Sequence, residues 1–123
     1  MSFPSELKYT KDHEWISASD SKIGVTAYAI EQLGDIVHIE LPEVGKDLEA
    51  GASFGTIEST KTVSDLYMPI TGKVTAVNQA VFKSPESLQT DPYKNGWLIQ
   101  FSGSAEAPGL MSAKDYAAFI ADH

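Results

Sequence analysis

The sequence predicts a single, mainly β domain in which two similar sheets fold against each other, with short helices at the periphery and one helix at the C-terminus. Three observations lead there. Short runs rich in Val, Ile, Thr and aromatic residues recur through the first two-thirds, each bounded by Gly, Pro, Asp or Ser. Gly34-Asp35-Ile36-Val37 and Gly72-Lys73-Val74-Thr75 each open an alternating strand with a glycine, a faint repeat that suits a pair of sheets. The length, 123 residues, matches one domain at a working figure of about 150, and no linker or low-complexity stretch divides it. Residues 1–123 are therefore read as one domain, with a core over about 7–102 and a terminal helix over about 112–121. A chain of this size buries roughly two-thirds of its unfolded surface, enough for a real core.

Strands are expected near Leu7–Thr10, His13–Ser17, Lys22–Thr26, Asp35–Leu41, Ser53–Ser59, Thr62–Met68, Gly72–Asn78 and Trp97–Ser102. In Asp35–Leu41, strict alternation puts Val37, Ile39 and Leu41 on one face, an assignment that a bulge would shift by one residue. Tyr28–Leu33 reads as a short helix stopped by Gly34 at C′. Ser84-Pro85 reads as an N-cap and a first-turn proline opening one or two turns to Leu88. At the C-terminus, Ser112 is the N-cap, Asp115 completes a weak capping box, and Met111 staples onto Tyr116. Tyr116, Phe119 and Ile120 then form an apolar stripe that docks on the sheets.

The charge balance narrows the function. Nine basic residues, all lysines, stand against 17 acidic ones, a net charge of −8. Phosphate neutralisation and base readout depend on clustered Lys and Arg, so the balance argues against nucleic acid as a partner and disfavours an anionic membrane surface; neither is expected. Cysteine is absent, which removes disulfides, thiolate nucleophiles and Cys-ligated metal sites. The N-terminus lacks signal-peptide blocks, and no apolar run approaches about 18 residues, so an intracellular protein is expected.

Catalytic constellations are missing as well. His13, His38 and His123 form no i, i+3 or i, i+4 pair, and they read as strand residues and a tail residue rather than metal ligands. No nucleophile elbow, phosphate loop or dinucleotide-binding turn is present. Asp12 with Glu14, and Glu40 with Glu43, read as parts of a solvated acidic face.

One segment stands apart. Phe54-Gly55-Thr56-Ile57-Glu58-Ser59 and Thr62-Val63-Ser64-Asp65-Leu66-Tyr67-Met68 are strands, which leaves Thr60-Lys61 as a tight two-residue turn. The favoured turns of that length need positive φ at central positions, usually met by Asn or Gly. A Thr-Lys pair breaks that rule, and such breaks tend to mark sites. Lys61 then stands at a hairpin tip with an amine that can be acylated.

The motifs around it resemble a known family. Pro69-Ile70-Thr71-Gly72-Lys73-Val74 is similar to the pattern that follows the modified lysine in lipoyl and biotinyl carrier domains. Tyr9-Thr10-Lys11-Asp12-His13-Glu14-Trp15, Leu33-Gly34-Asp35-Ile36-Val37, Leu41-Pro42-Glu43-Val44-Gly45, Glu58-Ser59-Thr60-Lys61, Asp91-Pro92-Tyr93, Gly96-Trp97-Leu98 and the ending Leu110-Met111-Ser112 with Tyr116 resemble the H protein of the glycine cleavage system, in order, from about Leu7 to Ile120. A biotin carrier normally flanks its lysine with methionines, whereas Thr60 and Thr62 stand here. The lipoyl domains of α-ketoacid dehydrogenases are usually shorter, without the His13-Glu14-Trp15 segment or the terminal helix.

The resemblance implies a barrel-sandwich hybrid of two antiparallel sheets, and lipoic acid joined by an amide to Lys61. It implies a carrier, not an enzyme, that moves the aminomethyl group of glycine from glycine decarboxylase (P protein) to aminomethyltransferase (T protein) and reducing equivalents to dihydrolipoyl dehydrogenase (L protein). A lipoate ligase or lipoyl/octanoyl transferase would attach the arm, and a monomer is expected. Family positions place Glu14 and Asp65 where carboxylates hold the cationic amine by charge-assisted hydrogen bonds, with Asp12 and Gln32 beside them. Asp12 replaces a common small hydroxyl residue, Gln32 replaces a histidine, and Thr60 and Thr62 replace valine and alanine. Gln89, near a usual Asn, lies far along the chain and carries no expectation. The acidic surface suits docking on basic patches of partner enzymes. Rival readings are an H-like lipoyl relay or storage carrier without glycine cleavage, an acid–base enzyme using Glu14 and Asp65, and a purely structural β domain. The expected compartment is the bacterial cytoplasm, or the mitochondrial matrix for a mature eukaryotic form.

Overall fold

A computed structural model describes residues 3–104, 107 and 109–121; His123 lies outside them. Two antiparallel sheets pack over one core. The larger is built from β1 (Lys8–Tyr9), β2 (Glu14–Ser17), β3 (Lys22–Val25), β5 (Asp47–Leu48), β8 (Gly72–Val77) and β9 (Ile99–Ser102), in the order β1-β2-β3-β9-β8-β5. The smaller holds β4 (Ile36–Glu40), β6 (Ser53–Ser59) and β7 (Val63–Tyr67), in the order β4-β6-β7. Between them the inward side chains Ile23, Ile39, Ile57, Val74, Leu98 and Ile99 are almost or completely sealed from water. Their area removed from water, at about 25 cal/mol per Å², is the main force holding the sheets together.

The helices fill corners. α1 (Ala27–Leu33) is capped by the Thr26 hydroxyl, which accepts from the Ala29 N–H at 3.2 Å. It ends at Gly34, whose φ of +88° lets its N–H return to the Ile30 carbonyl at 3.1 Å. α2 (Gln79–Lys83) is capped by Asn78, and α3 (Ser87–Thr90) follows after a turn. α4 (Ala113–Ala121) starts where Ser112 Oγ accepts from the Asp115 N–H at 3.1 Å. Its Tyr116 stacks on Tyr9 with ring centroids 5.0 Å apart, inside a second apolar cluster with Leu7, Trp15 and Met111. No helix among the described residues is long and apolar enough to cross a membrane.

Five local readings change. The bulge between Ile36 and His38 turns Ile36 inward beside Ile39 and leaves Val37 49 % exposed. Ser84 closes α2 instead of capping α3, because the Asn78 side chain had already begun a helix that the sequence pattern concealed. The two-residue strand β5 is too short to leave a periodic signal. His13 sits outside β2 with a φ of +67°, in the turn that reverses the chain. Thr60 and Lys61 take no positive φ, for a reason given below.

Gly24 faces Trp15 across β2 and β3, and a Cβ there would sit 2.5 Å from the indole ring. That ring is pinned by its Nε1–H to the Pro92 carbonyl at 3.0 Å. Gly24→Ala is expected to cost about 1–3 kcal/mol through overpacking. Urea unfolding checks it: the midpoint falls while the denaturant slope stays constant.

Candidate functional site

The β6–β7 hairpin ends in Ser59-Thr60-Lys61-Thr62, without a glycine to supply left-handed geometry. The Ser59 hydroxyl replaces it. Its oxygen accepts from the N–H groups of Lys61 and Thr62, both at 3.1 Å, while the Ser59 N–H donates to the Thr62 carbonyl at 2.8 Å. The remaining N–H of the tip, that of Thr60, donates to the Asp35 carbonyl at 3.0 Å. The loop is thereby docked on the junction between α1 and β4.

Lys61 is exposed at this tip. Its stem does not point straight out. The Lys61 Cε lies 3.0 Å from the place a Cβ would occupy on Gly34, and Nζ lies 3.6 Å from it. Gly34 thus serves two ends: it allows the positive φ that stops α1, and it leaves room for the lysine methylenes. The Gln89 side chain braces the same junction, its Oε1 accepting from the Ile36 N–H at 3.2 Å and its Nε2 donating to the Asp35 carboxylate at 3.3 Å. The role of Ser59 was missed from the sequence, although a hydroxyl residue before a tight turn is a signal that finds it. Gln89 left no such signal, since it is remote in sequence and no local pattern ties it to the hairpin.

Beside the hairpin runs a narrow cleft of about 150 Å³ lined by Asp12, His13, Val25, Ala29, Gln32, Leu33, Ile57, Ser64, Asp65 and Leu66. Three of the four expected arm-docking residues, Asp12, Gln32 and Asp65, line this cleft and are exposed. Its floor is apolar and its rim carries two carboxylates. Asp65 accepts a long hydrogen bond, 3.5 Å, from the Tyr67 hydroxyl and pushes that phenol above its usual range.

Glu14, the fourth, occupies a different setting. It is 1 % exposed and is not part of the cleft lining. Oε2 accepts from the Tyr67 N–H at 2.7 Å and Oε1 pairs with the Thr10 hydroxyl at 3.4 Å. The carboxyl group therefore bridges β2 of the large sheet to β7 of the small one. Burial pushes it up to about 8, with Asp12 adding to the rise and the Tyr67 N–H opposing it.

A matching family model, described as glycine cleavage H-protein, spans residues 7–123. The chain belongs to the glycine cleavage H-protein family. It is 48% identical over 124 residues to the glycine cleavage system H protein of Synechococcus sp. (strain RCC307), covering 98% of this chain and 95% of the relative. It is 47% identical to the one from Herpetosiphon aurantiacus, covering 97% and 94%. A crystal structure of a glycine cleavage system H protein from Mycobacterium marinum superposes with a TM-score of 0.86 at 42% identity, covering 97% of this chain and 99% of that one. The two-sheet fold with a C-terminal helix is thus the family's fold.

The Glu14 environment has a pH consequence. Its pKa is raised from 4.5 to about 8 in the folded state, so the folded chain binds a proton more tightly than the unfolded one. The associated stability is full below about 4.5 and fades as pH rises through 8. Glu14→Gln removes that component, so the difference in unfolding free energy between wild type and variant shrinks or reverses from pH 5 to pH 9 in urea titrations.

Proposed function

We propose that this chain is the lipoyl-bearing carrier of a glycine cleavage system, with the arm joined by an amide to Lys61. Family proteins carry lipoate on a lysine and act as carriers, not catalysts. The observation that carries the assignment to Lys61 is its exposure at the tip of a hairpin braced by the Ser59 hydroxyl and the Asp35 carbonyl. A modifying enzyme can reach the amine there, and the attached arm can reach beyond the body of the carrier. Thr60 and Thr62 are exposed beside it and leave the approach clear.

When bound, the lipoyl group supplies a disulfide that opens to take up its cargo and closes on reoxidation, sulfur chemistry absent from a chain without cysteine. The protein's own part is mechanical and electrostatic. Ser59 and Asp35 fix the root of the arm, and a fixed root raises the arm's effective concentration in a docked partner's pocket. Asp12 and Asp65 offer carboxylates to a cationic amine at the end of the arm, with Gln32 as a further polar contact. The apolar floor at Ile57 and Leu66 shields the bound end from water. Glu14 contributes from behind, holding the Tyr67 N–H and so the strand that presents Asp65.

Membership of this family implies work with the P, T and L proteins. The net charge of −8 supports docking on basic surfaces of those enzymes and of a lipoate ligase or lipoyl/octanoyl transferase. A monomer acting in the cytoplasm fits this role.

Three expected outcomes follow from the geometry. After treatment with lipoate ligase, intact mass shows one lipoyl adduct on the wild-type chain and none on Lys61→Arg. Lys61→Ala loses carrier activity in glycine–bicarbonate exchange with P protein, yet shifts unfolding free energy by no more than about 1 kcal/mol, as befits an exposed side chain. Replacing Asp65 by Asn weakens the hold on a cationic arm about tenfold, the value of one charge-assisted hydrogen bond of roughly 1.5 kcal/mol. Faster loss of the added mass from the loaded variant measures that change.

A further inference from the structure

The acidic cleft is lined by three elements: the turn that carries Asp12 and His13, α1 through Ala29 and Gln32, and β7. Of these, α1 is poorly secured by itself. It has seven residues, of which only Ile30 is buried, and a helix this short does not hold its own place in water. What fixes it lies at its start. The Thr26 N–H donates to the His13 carbonyl at 3.0 Å, the Ala27 N–H donates to the Tyr93 hydroxyl at 3.0 Å, and Thr26 Oγ1 accepts from the Ala29 N–H at 3.2 Å. A side chain from far along the chain completes the join. The Tyr116 hydroxyl of α4 lies 2.8 Å from His13 Nδ1 and 2.8 Å from Thr26 Oγ1. With Thr26 donating to Tyr116 and Tyr116 donating to His13, each hydroxyl hydrogen has an acceptor and the Thr26 oxygen stays open to Ala29.

We propose that Tyr116 is a positioning residue for the carrier's arm: its hydroxyl pins the His13 turn to the start of α1 and so fixes the spacing of Asp12 and Gln32 in the cleft lining. This rests on the cleft receiving the amine-bearing arm, and it adds the residue that keeps the lining in place. Charge-assisted hydrogen bonds are short, about 2.7–2.9 Å, and tolerate little drift. Two lining elements that move independently therefore hold an amine less well than two that are joined. The join is made where water does not substitute for it, since Tyr116 and Thr26 are both fully buried. The tyrosine ring has a separate duty. It stacks on Tyr9 at 5.0 Å and meets Phe3 edge-on at 4.9 Å, so Tyr116→Phe keeps the apolar packing and removes only the pin. The stripe of α4 thus does more than dock a helix on the sheets, because one of its members ends in a hydroxyl that reaches the site.

The test follows loss of the added mass from the lipoylated full chain loaded by P protein, with the kinetics of lipoate ligase on the unmodified chain as a second readout. Tyr116→Phe and Thr26→Val are each expected to speed that loss about fivefold. The double variant adds nothing further, and Thr26→Ser, which keeps the hydroxyl, retains the wild-type rate. Lipoate ligase acts on all of them with unchanged KM and kcat, since the Ser59 and Asp35 bonds that hold the hairpin tip lie outside the pinned join. Tyr9→Phe controls for loosened packing: Tyr9 is buried in the same cluster, but its hydroxyl donates to the Pro4 carbonyl at 2.6 Å rather than to α1. A wild-type rate in Tyr116→Phe, an equal rise in Tyr9→Phe, or a parallel loss of ligase efficiency overturns the pin and leaves the arm-holding reading standing. A wild-type chain that loses its load as fast as Asp65→Asn overturns that reading and the pin together, and a chain that accepts no adduct at Lys61 overturns the carrier assignment.

Discussion

The hydroxyl of Ser59 is the constraint on which the site depends. A two-residue reversal between β-strands ordinarily demands left-handed residues, and this hairpin has none to offer. By accepting two N–H groups at once, Ser59 closes the turn with ordinary backbone geometry and leaves Lys61 free of any structural duty. The Thr60 N–H, bonded to the Asp35 carbonyl, then ties the tip to the body of the protein. Without that pair of devices the lysine would wander with a loose loop. With them, the backbone of the tip is tied down and the lysine side chain lies over Gly34.

The surroundings of the tip follow from how two sheets of unequal size meet. The smaller sheet ends at β7, an edge strand whose backbone must be satisfied somehow. One of its N–H groups, that of Tyr67, finds the buried carboxyl of Glu14 on the larger sheet. A buried acid is a costly partner unless it is hydrogen-bonded or neutral, and the upward displacement of its pKa reflects that cost. The same bond holds β7 against β2 of the larger sheet. Glu14 therefore shapes the site from behind while Asp12 and Asp65 face it.

Several features were legible from residues alone, and each was a local signal. Gly34 as a helix stop, Ser112 as a cap and Lys61 between two β-rich runs all depend on neighbours within a few positions. Errors arose where a local rule had two solutions. Val37 alternates correctly in an ideal strand, but one extra residue at the bulge sends it to solvent and turns Ile36 inward. Ser84 and Asn78 are both good caps, and only packing of Val81 into the core decides that the earlier one starts a helix.

By itself, the sequence determined the chemical inventory: no thiol, no metal set, an excess of acid, and one acylatable lysine framed by β-strand patterns and ordered family motifs. Those are properties of composition and of short-range order, which the chain carries whether folded or not. Tertiary structure alone decided which distant residues meet. Gln89 braces Ile36 across 53 positions, Glu14 reaches Tyr67 across another 53, and Gly34 comes to lie under Lys61. Such contacts are set by sheet register and by apolar packing summed over the whole core, so no window of sequence contains them.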